Sequence, residues 1–529
     1  MHTRVTCPAP AEHSSRGAAH ASADSEAPQT DGRARRSLNR AFFGICCLML
    51  FGTAYVHQDP ATSPTALSRL DLLHSLADGR LAIDKYHANT PDKAEWLGHF
   101  YSDKAPGTVA LALPAFIAGR LALQSAGRGL NSDAGWVASS WVACSGSAGV
   151  IAALGAGCLF AWLAARVPPR CALATTLTLF LGAAPLPYAT MMLSHAITVG
   201  LIAVALWAIG SSPACAASHG APSKPRPAGL ATRPMGTVTT LDRFDLLAGF
   251  CCGWALACEF TCGIVVVALL LWLWAGGWRR ALAFSLAAAA PVLLIPAYSW
   301  ACFGHPLTLP YSLNHSFPQM RSGLFSVRWP DLPTAYNLLV SPMRGLFFWT
   351  PFLLMAGAGY KEMARTNDRL FWLTYGVPIL HATVMSGRTW DWPAGPSLGP
   401  RYLAPILPLL ALPCAMGLAR FPLTGLLLGA YSILITTAAT LTTACPPSSV
   451  PNPLLDLQLP LLLEGRIAPT LGEAAGLPPL LSVLFYYAVL ATGTAWLWRA
   501  LPPGTALGKA PTAGDWGGEP GPGTLPAGA

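Results

Sequence analysis

Apolar stretches long enough to cross a bilayer recur along this chain from Ala41 to Leu501. A spanning helix needs roughly 17–25 predominantly apolar residues. In lipid each backbone N–H and C=O must be satisfied within the protein, so runs of this length are read as helices. The charge content agrees. Only 11% of residues are Asp, Glu, Lys or Arg, against about 25% in ordinary soluble domains. The expected fold class is an all-α polytopic membrane protein. Candidate spans lie at 41–56, 136–165, 171–188, 193–211, 246–261, 262–276, 281–302, 345–359, 370–386, 403–419, 423–443 and 480–498. That makes a bundle of about 12 transmembrane helices with a large first extracytoplasmic loop. The apolar run 107–123 is interrupted by Pro114 and Arg120. It is expected to lie at the interface, or to re-enter, on the outer side.

The flanking segments read differently. Residues 1–40 are rich in Ala, Ser and Arg and lack an apolar core, so they are expected to form a disordered cytoplasmic tail. Residues 501–529, rich in Gly and Pro, are expected to form a second disordered tail. Residues 211–243 form a Pro- and Ser-rich linker on the inner side. The body of the protein is then 41–500. With both termini inside, most of the 33 Lys and Arg fall on inner segments, as the positive-inside rule requires. The formal charge of +9 is thereby explained by topology, and no basic stripe with interleaved aromatics points to nucleic acid. Of the 14 cysteines, most lie inside apolar runs, where a thiol packs as a small hydrophobe. The cluster Cys251, Cys252, Cys258 and Cys262 lacks zinc-site spacing.

Chemistry is therefore sought in the outer loops, 57–135, 303–344 and 387–402. The loop 444–479 is Pro- and Leu-rich and chemically quiet. In the first loop, Asp103-Lys104 stands directly before Pro106-Gly107 and an apolar helix. Lys104 at that interface suits a lipid phosphate. Asp103 could act as a base, bind a metal, or only pair with Lys104. Asp84 and Asp92 flank Tyr86, Asn89 and Thr90 and are candidates for the base or for sugar contacts. Arg344 and Arg401 each sit where an outer loop meets a membrane helix. There an arginine can snorkel to headgroups or grip a phosphate through two parallel hydrogen bonds. Tyr101, Asn89, Trp390 and His195 are candidate sugar or acceptor contacts. His195 and Glu259 are also ionisable residues in apolar runs, which marks them as functional candidates.

These segments resemble a known family. Ser68-Arg69, Ile83-Asp84, Asn89-Thr90-Pro91-Asp92 and Tyr101 to Gly107, followed by Ser341 to Phe347 and Gly399 to Leu403, are similar to motifs of bacterial membrane glycosyltransferases of the GT-C superfamily. The resemblance is to the protein mannosyltransferase-like (glycosyltransferase family 39-like) group and covers about residues 40–500. It implies a GT-C-like bundle in the bacterial inner membrane. It implies an inverting transfer of sugar from a polyprenyl-phosphate donor to a glycan, lipid or protein acceptor on the outer face. It assigns Asp103, Asp84 and Asp92 as catalytic candidates, and Lys104, Arg401 and Arg344 as donor-phosphate ligands. No metal ligands are assigned, and a divalent metal stays open as a cofactor. The chain also departs from its relatives. Where they carry an acidic residue soon after the first helix it reads Ser68-Arg69-Leu70-Asp71, and where they begin a later helix with Asp it has His195.

Two other classes remain open from sequence: a lipid or glycan transporter or flippase, and a non-catalytic envelope protein. A glycosyltransferase requires the carboxylates and arginines of the outer loops to converge on one cavity. The alternatives do not.

Overall fold

The structure is a computed structural model describing residues 27–129, 132–213, 241–321, 327–365 and 369–502. It is a helical bundle with one small hairpin. The longer helices are α1 (Ala27–Ala54), α2 (Pro64–Ala77), α3 (Gly107–Ser125), α4 (Asp133–Cys144), α5 (Val150–Ala164), α6 (Pro169–Leu181), α7 (Ser194–Ser211), α8 (Arg243–Cys258) and α9 (Gly263–Gly276). They continue with α10 (Trp278–Val292), α11 (Leu294–Phe303), α12 (Leu332–Leu339), α13 (Met355–Met363), α14 (Arg369–Ser386), α15 (Leu407–Arg420), α16 (Pro422–Thr442) and α17 (Pro479–Ala500).

By length and composition, eight helical runs among the described residues can cross a membrane: Arg35–Ala54, Gly107–Ser125, Asp133–Ala164, Ser194–Ser211, Trp278–Phe303, Arg401–Arg420, Pro422–Thr442 and Pro479–Ala500. This is fewer than the expected 12, because segments such as Pro169–Leu181 and Phe260–Gly276 are apolar but shorter. Helix starts follow local chemistry. Pro stands in the first turn of α2, α6, α16 and α17, where its missing N–H removes no hydrogen bond. Ser63 caps α2 by accepting from the Ala66 N–H.

Three observations orient the bundle. Helices α1 and α5 run antiparallel. Trp141 donates to the Ala54 carbonyl at 2.8 Å near one end, and Cys46 donates to the Ala153 carbonyl at 3.3 Å deeper in. Helix α17 returns beside α1, with Tyr55 bonded to Ser482 at the site end and Ser37 donating to the Ala500 carbonyl at the far end. The described chain therefore begins and ends at the end of the bundle away from the site. Helices α5 and α7 cross closely enough that a Cβ on Gly155 would lie 2.4 Å from the Cα of Gly200, a small-residue contact typical of membrane helices.

One expectation changes. Helix α1 begins at Ala27, inside the segment expected to be a disordered tail. Ser37 is tied to the end of α17, so the helix continues past its apolar run. Residues 1–26, 214–240 and 503–529, the rest of the expected tails and most of the linker, lie outside the described residues. The run 107–123 belongs to one 19-residue helix, which Pro114 does not break. Its packing holds both of its ends at the site end of the bundle. Gly107 abuts Ala257 at the close of α8, Gly119 abuts Val142, and Arg120 lies 3.3 Å from His74 of α2.

The segment between α2 and α3 contains an antiparallel hairpin, β1 (Lys93–Trp96) and β2 (His99–Ser102). Its turn, Leu97-Gly98, takes positive φ at both residues, as a tight two-residue hairpin requires. Ala94 bridges to Asn314 of the segment between α11 and α12. The hairpin delivers Asp103-Lys104 into the protein just before α3.

Candidate functional site

A cavity of about 300 Å³ opens at the site end of the bundle. Its wall takes Arg69 from α2, Asp92 and Lys104 from either side of the hairpin, His195 from the start of α7, and Glu259 from the residue closing α8. The segment between α11 and α12 supplies Tyr311, Phe317 and Met320. The segment between α14 and α15 supplies Arg388, Trp390 and Asp391, with Arg401 and Tyr402 where it enters the bundle. Cations, carboxylates and aromatic rings thus share one concave surface. Phe317 and Trp390 sit 6.0 Å apart, centroid to centroid.

Lys104 is the centre of a buried ionic triad. Its Nζ lies 2.9 Å from Asp92 Oδ2 and 3.0 Å from Asp103 Oδ2. Thr65 donates to Asp92 at 2.8 Å and Asn314 donates to Asp103 at 2.8 Å. Burial would raise the Asp92 carboxyl, but Lys104 outweighs it and holds it below the usual carboxylate range. Burial raises Asp103, and the neighbouring Asp92 adds to this against the pull of Lys104. The ammonium itself is held above its ordinary value, because the two carboxylates outweigh its burial.

The arginines divide by their partners. Arg388 donates to Asp391 at 2.6 Å and to the Tyr402 hydroxyl at 3.2 Å, and Tyr402 in turn donates to Asp391 at 2.5 Å. Arg69 donates to the Met192 carbonyl at 3.4 Å and to Ser194 Oγ at 3.2 Å. The Arg401 guanidinium, 9% exposed, has no hydrogen-bond partner among the described residues, and its Nε is buried. It lies 5.6 Å over the Tyr402 ring. A buried guanidinium carries five donors, and leaving them unmet is costly. A guanidinium so placed has donors to offer to an anion.

Of the residues singled out from sequence, the structure brings Asp92, Lys104, Arg401, Trp390 and His195 to the cavity wall. Asp103 stands directly behind Lys104, fully buried. Four others are elsewhere. Asp84 accepts from His99 Nδ1 and the Phe100 N–H, both at 2.7 Å, on the exposed side of the hairpin. Asn89 donates to Asp71 at 2.9 Å. Tyr101 packs on Phe303. Arg344 is buried and spends its guanidinium on the carbonyls of Met343, Pro393, Gly395 and Pro446. It therefore fastens two loops together instead of facing a phosphate.

Sequence reasoning gave no role to Arg69, Arg388, Asp391, Tyr402 or Tyr311. Arg69 sat inside a quoted motif, and Arg388 and Asp391 sat in the third outer loop, but nothing local separated them from their neighbours. Glu259 carried a signal as a carboxylate between two apolar runs. Among the described residues, no group of three or more His, Cys, Asp or Glu side chains gathers into a metal-ligand set.

Neither a family model nor a curated protein sequence matches this chain. Among solved structures, its backbone is similar to the crystal structure of ArnT from Cupriavidus metallidurans in the apo state. That match has 14% identity and a TM-score of 0.44, over 87% of this chain and 75% of that one. A second match is ArnT from the same organism bound to undecaprenyl phosphate, at 15% identity and a TM-score of 0.41 over the same shares.

Proposed function

We propose that the chain is an integral-membrane glycosyltransferase that moves a sugar from a polyprenyl-phosphate donor to an envelope glycan, lipid or protein acceptor. The observation that carries this reading is the unpartnered Arg401 guanidinium, in one cavity with Lys104, Arg69 and carboxylates, at the end of an apolar bundle. The donor phosphate is gripped by Arg401 and approached by Lys104, and the sugar lies against Trp390 and Phe317. A second, apolar cavity of about 530 Å³, lined by residues such as Leu338, Phe347, Leu353, Ile379 and Leu410, fits a prenyl tail. It reaches Ser386, two residues before Arg388 of the polar cavity. The motifs shared with GT-C glycosyltransferases favour the same chemistry. In this reading the site end faces the outer side of the bacterial inner membrane, and both termini face the cytoplasm, as the Lys and Arg distribution favours.

The test uses a strain lacking the gene and the purified full-length chain in detergent. Deletion is expected to remove a glycan from the envelope, read by mass spectrometry. The wild-type gene and Asp84→Asn restore it, and Arg401→Ala does not. Undecaprenyl phosphate is expected to bind the wild-type protein and to bind Arg401→Ala at least about tenfold more weakly, since a charge-assisted hydrogen bond contributes about 1.5–3 kcal/mol. Equal binding and full complementation by Arg401→Ala would refute the proposed role of this site.

A further inference from the structure

We infer that Glu259 is the general base of the transfer. The inference rests on the glycosyltransferase reading above and assigns the base to a residue outside the first outer loop. Three carboxylates line the cavity, and their partners separate them. Asp92 is held by Lys104 at 2.9 Å and Thr65 at 2.8 Å. Asp391 is held by Arg388 at 2.6 Å and Tyr402 at 2.5 Å. Each already gives an oxygen to a charge-assisted bond. Asp103 is fully buried behind Lys104. Among the described residues, Glu259 accepts only from two hydroxyls, Ser194 at 2.8 Å and Thr261 at 3.3 Å. Among the described residues it has no ion-pair partner within 4.0 Å. His195 first, then Arg69 and Arg401, act on it electrostatically from beyond that range. A carboxylate has about four lone-pair sites, so Glu259 retains acceptor capacity toward the cavity.

Its position has a local cause. Helix α8 ends at Cys258, and Glu259 adopts extended backbone, with φ −154° and ψ 113°. The chain then re-enters helix at Phe260. The break turns a charged side chain into the cavity, where a continuous helix would have carried the series on. His195 lies on the same wall with its Nδ1 buried and unpartnered. Helix α7 thus brings an imidazole to this wall but no carboxylate, and α8 brings the carboxylate.

In the transfer step the acceptor hydroxyl oxygen attacks the anomeric carbon and forms the new C–O bond. The bond from that carbon to the phosphate oxygen breaks, and its electron pair leaves with the polyprenyl phosphate, whose charge Arg401 and Lys104 hold. The hydroxyl proton passes to Glu259, which later returns it to water.

The test compares wild type, Glu259→Gln and Glu259→Asp, purified full-length, in two measurements. One is binding of undecaprenyl phosphate. The other is the rate at which each protein restores the missing glycan to membranes from the deletion strain. Glu259→Gln is expected to bind within threefold of wild type and to transfer at least about a hundredfold more slowly, the usual contribution of a general base. Glu259→Asp, which keeps the charge but withdraws it by one methylene, is expected to fall between. A purely structural role would weaken binding and rate together. Folded Glu259→Gln transferring within threefold of wild type overturns the inference and leaves the function standing. If Glu259→Gln does not fold, Glu259→Asp with an undiminished rate overturns it equally. A wild-type protein that neither binds the lipid nor restores the glycan overturns both.

Discussion

Replacing Lys104 with Met tests the ionic triad with little change in side-chain length. Lys104 is 5% exposed, Asp92 10% and Asp103 0%. Without the ammonium, Asp92 keeps Thr65, and Asp103 keeps Asn314 and a long contact to Ser68. The bared carboxylates relieve their repulsion by taking a proton. At pH 7, holding one aspartate neutral against a free value of about 3.9 costs at most about 4 kcal/mol, and at pH 5 about 1.5 kcal/mol. The pH 7 figure agrees with the roughly 3–5 kcal/mol lost when a buried pair loses one member. The sign follows from the linkage. Asp92, whose carboxyl is held low, contributes stability above its unfolded value and loses it as pH falls through the lower folded one, so pH 5 and 7 both lie above that window in wild type. The expected result is a loss of about 3–4 kcal/mol at pH 7, shrinking to about 1–1.5 kcal/mol at pH 5. Asp92→Asn added to Lys104→Met should recover much of the pH 7 loss. Denaturant titration of the purified protein in detergent measures it. A loss of equal size at both pH values would assign the effect to packing and refute the electrostatic account.

Asp71 offers the opposite pH dependence. Burial pushes its carboxyl up to about 7, against the Asn89 hydrogen bond and Lys93, and its Oδ2 is buried without a partner. Its contribution is complete below the unfolded value and is lost as pH rises through about 7. Asp71→Asn should therefore stabilise the protein by up to about 4 kcal/mol at pH 8 and be nearly neutral at pH 4, in the same titration. An equal effect at the two pH values would contradict this. Arg344→Ala strips donors from four loop carbonyls and should cost more than about 3 kcal/mol, with limited proteolysis cutting the 393–396 segment faster. Unchanged resistance to protease would count against the clasp.

The membrane class was legible because lipid leaves the backbone few options, so apolar run length alone decides it. Convergence of the loops was legible only in part, because it depends on contacts distant in sequence. Asp84 and Asp92 look alike in sequence, yet Asp92 turns inward onto Thr65 of α2 while Asp84 is drawn outward to the Phe100 N–H and His99. Arg344 and Arg401 both mark a loop–helix junction. Arg344 meets carbonyls of Pro-rich segments, which no helix or strand satisfies, and is consumed by them. The Arg401 guanidinium lies over the ring of Tyr402 and, among the described residues, has no hydrogen-bond partner. Arg388 and Asp391, three residues apart, were in plain view but gain meaning only from the Tyr402 hydroxyl between them.

The string Asp103-Lys104-Ala105-Pro106-Gly107 works as one device whose residue types each answer to a contact. Asp103 is anchored by Asn314 of the segment between α11 and α12, so the strand exit is fixed from behind. Lys104 is thereby aimed into the cavity while held between two carboxylates. Ala105 is small and buried. Pro106 has helical backbone and its carbonyl accepts from the Ala110 N–H at 3.0 Å, so α3 starts without delay. Gly107 lies against the last turn of α8, where a Cβ would come within 2.5 Å of the Ala257 carbonyl carbon and 2.8 Å of the Cys258 nitrogen. No side chain fits there without moving backbone. That contact sits two residues before Glu259. The same short string therefore sets Lys104 on the cavity wall and fixes the helix end that presents Glu259. Substitution at Gly107 would act on Glu259 through α8, without a direct contact with any bound sugar or lipid.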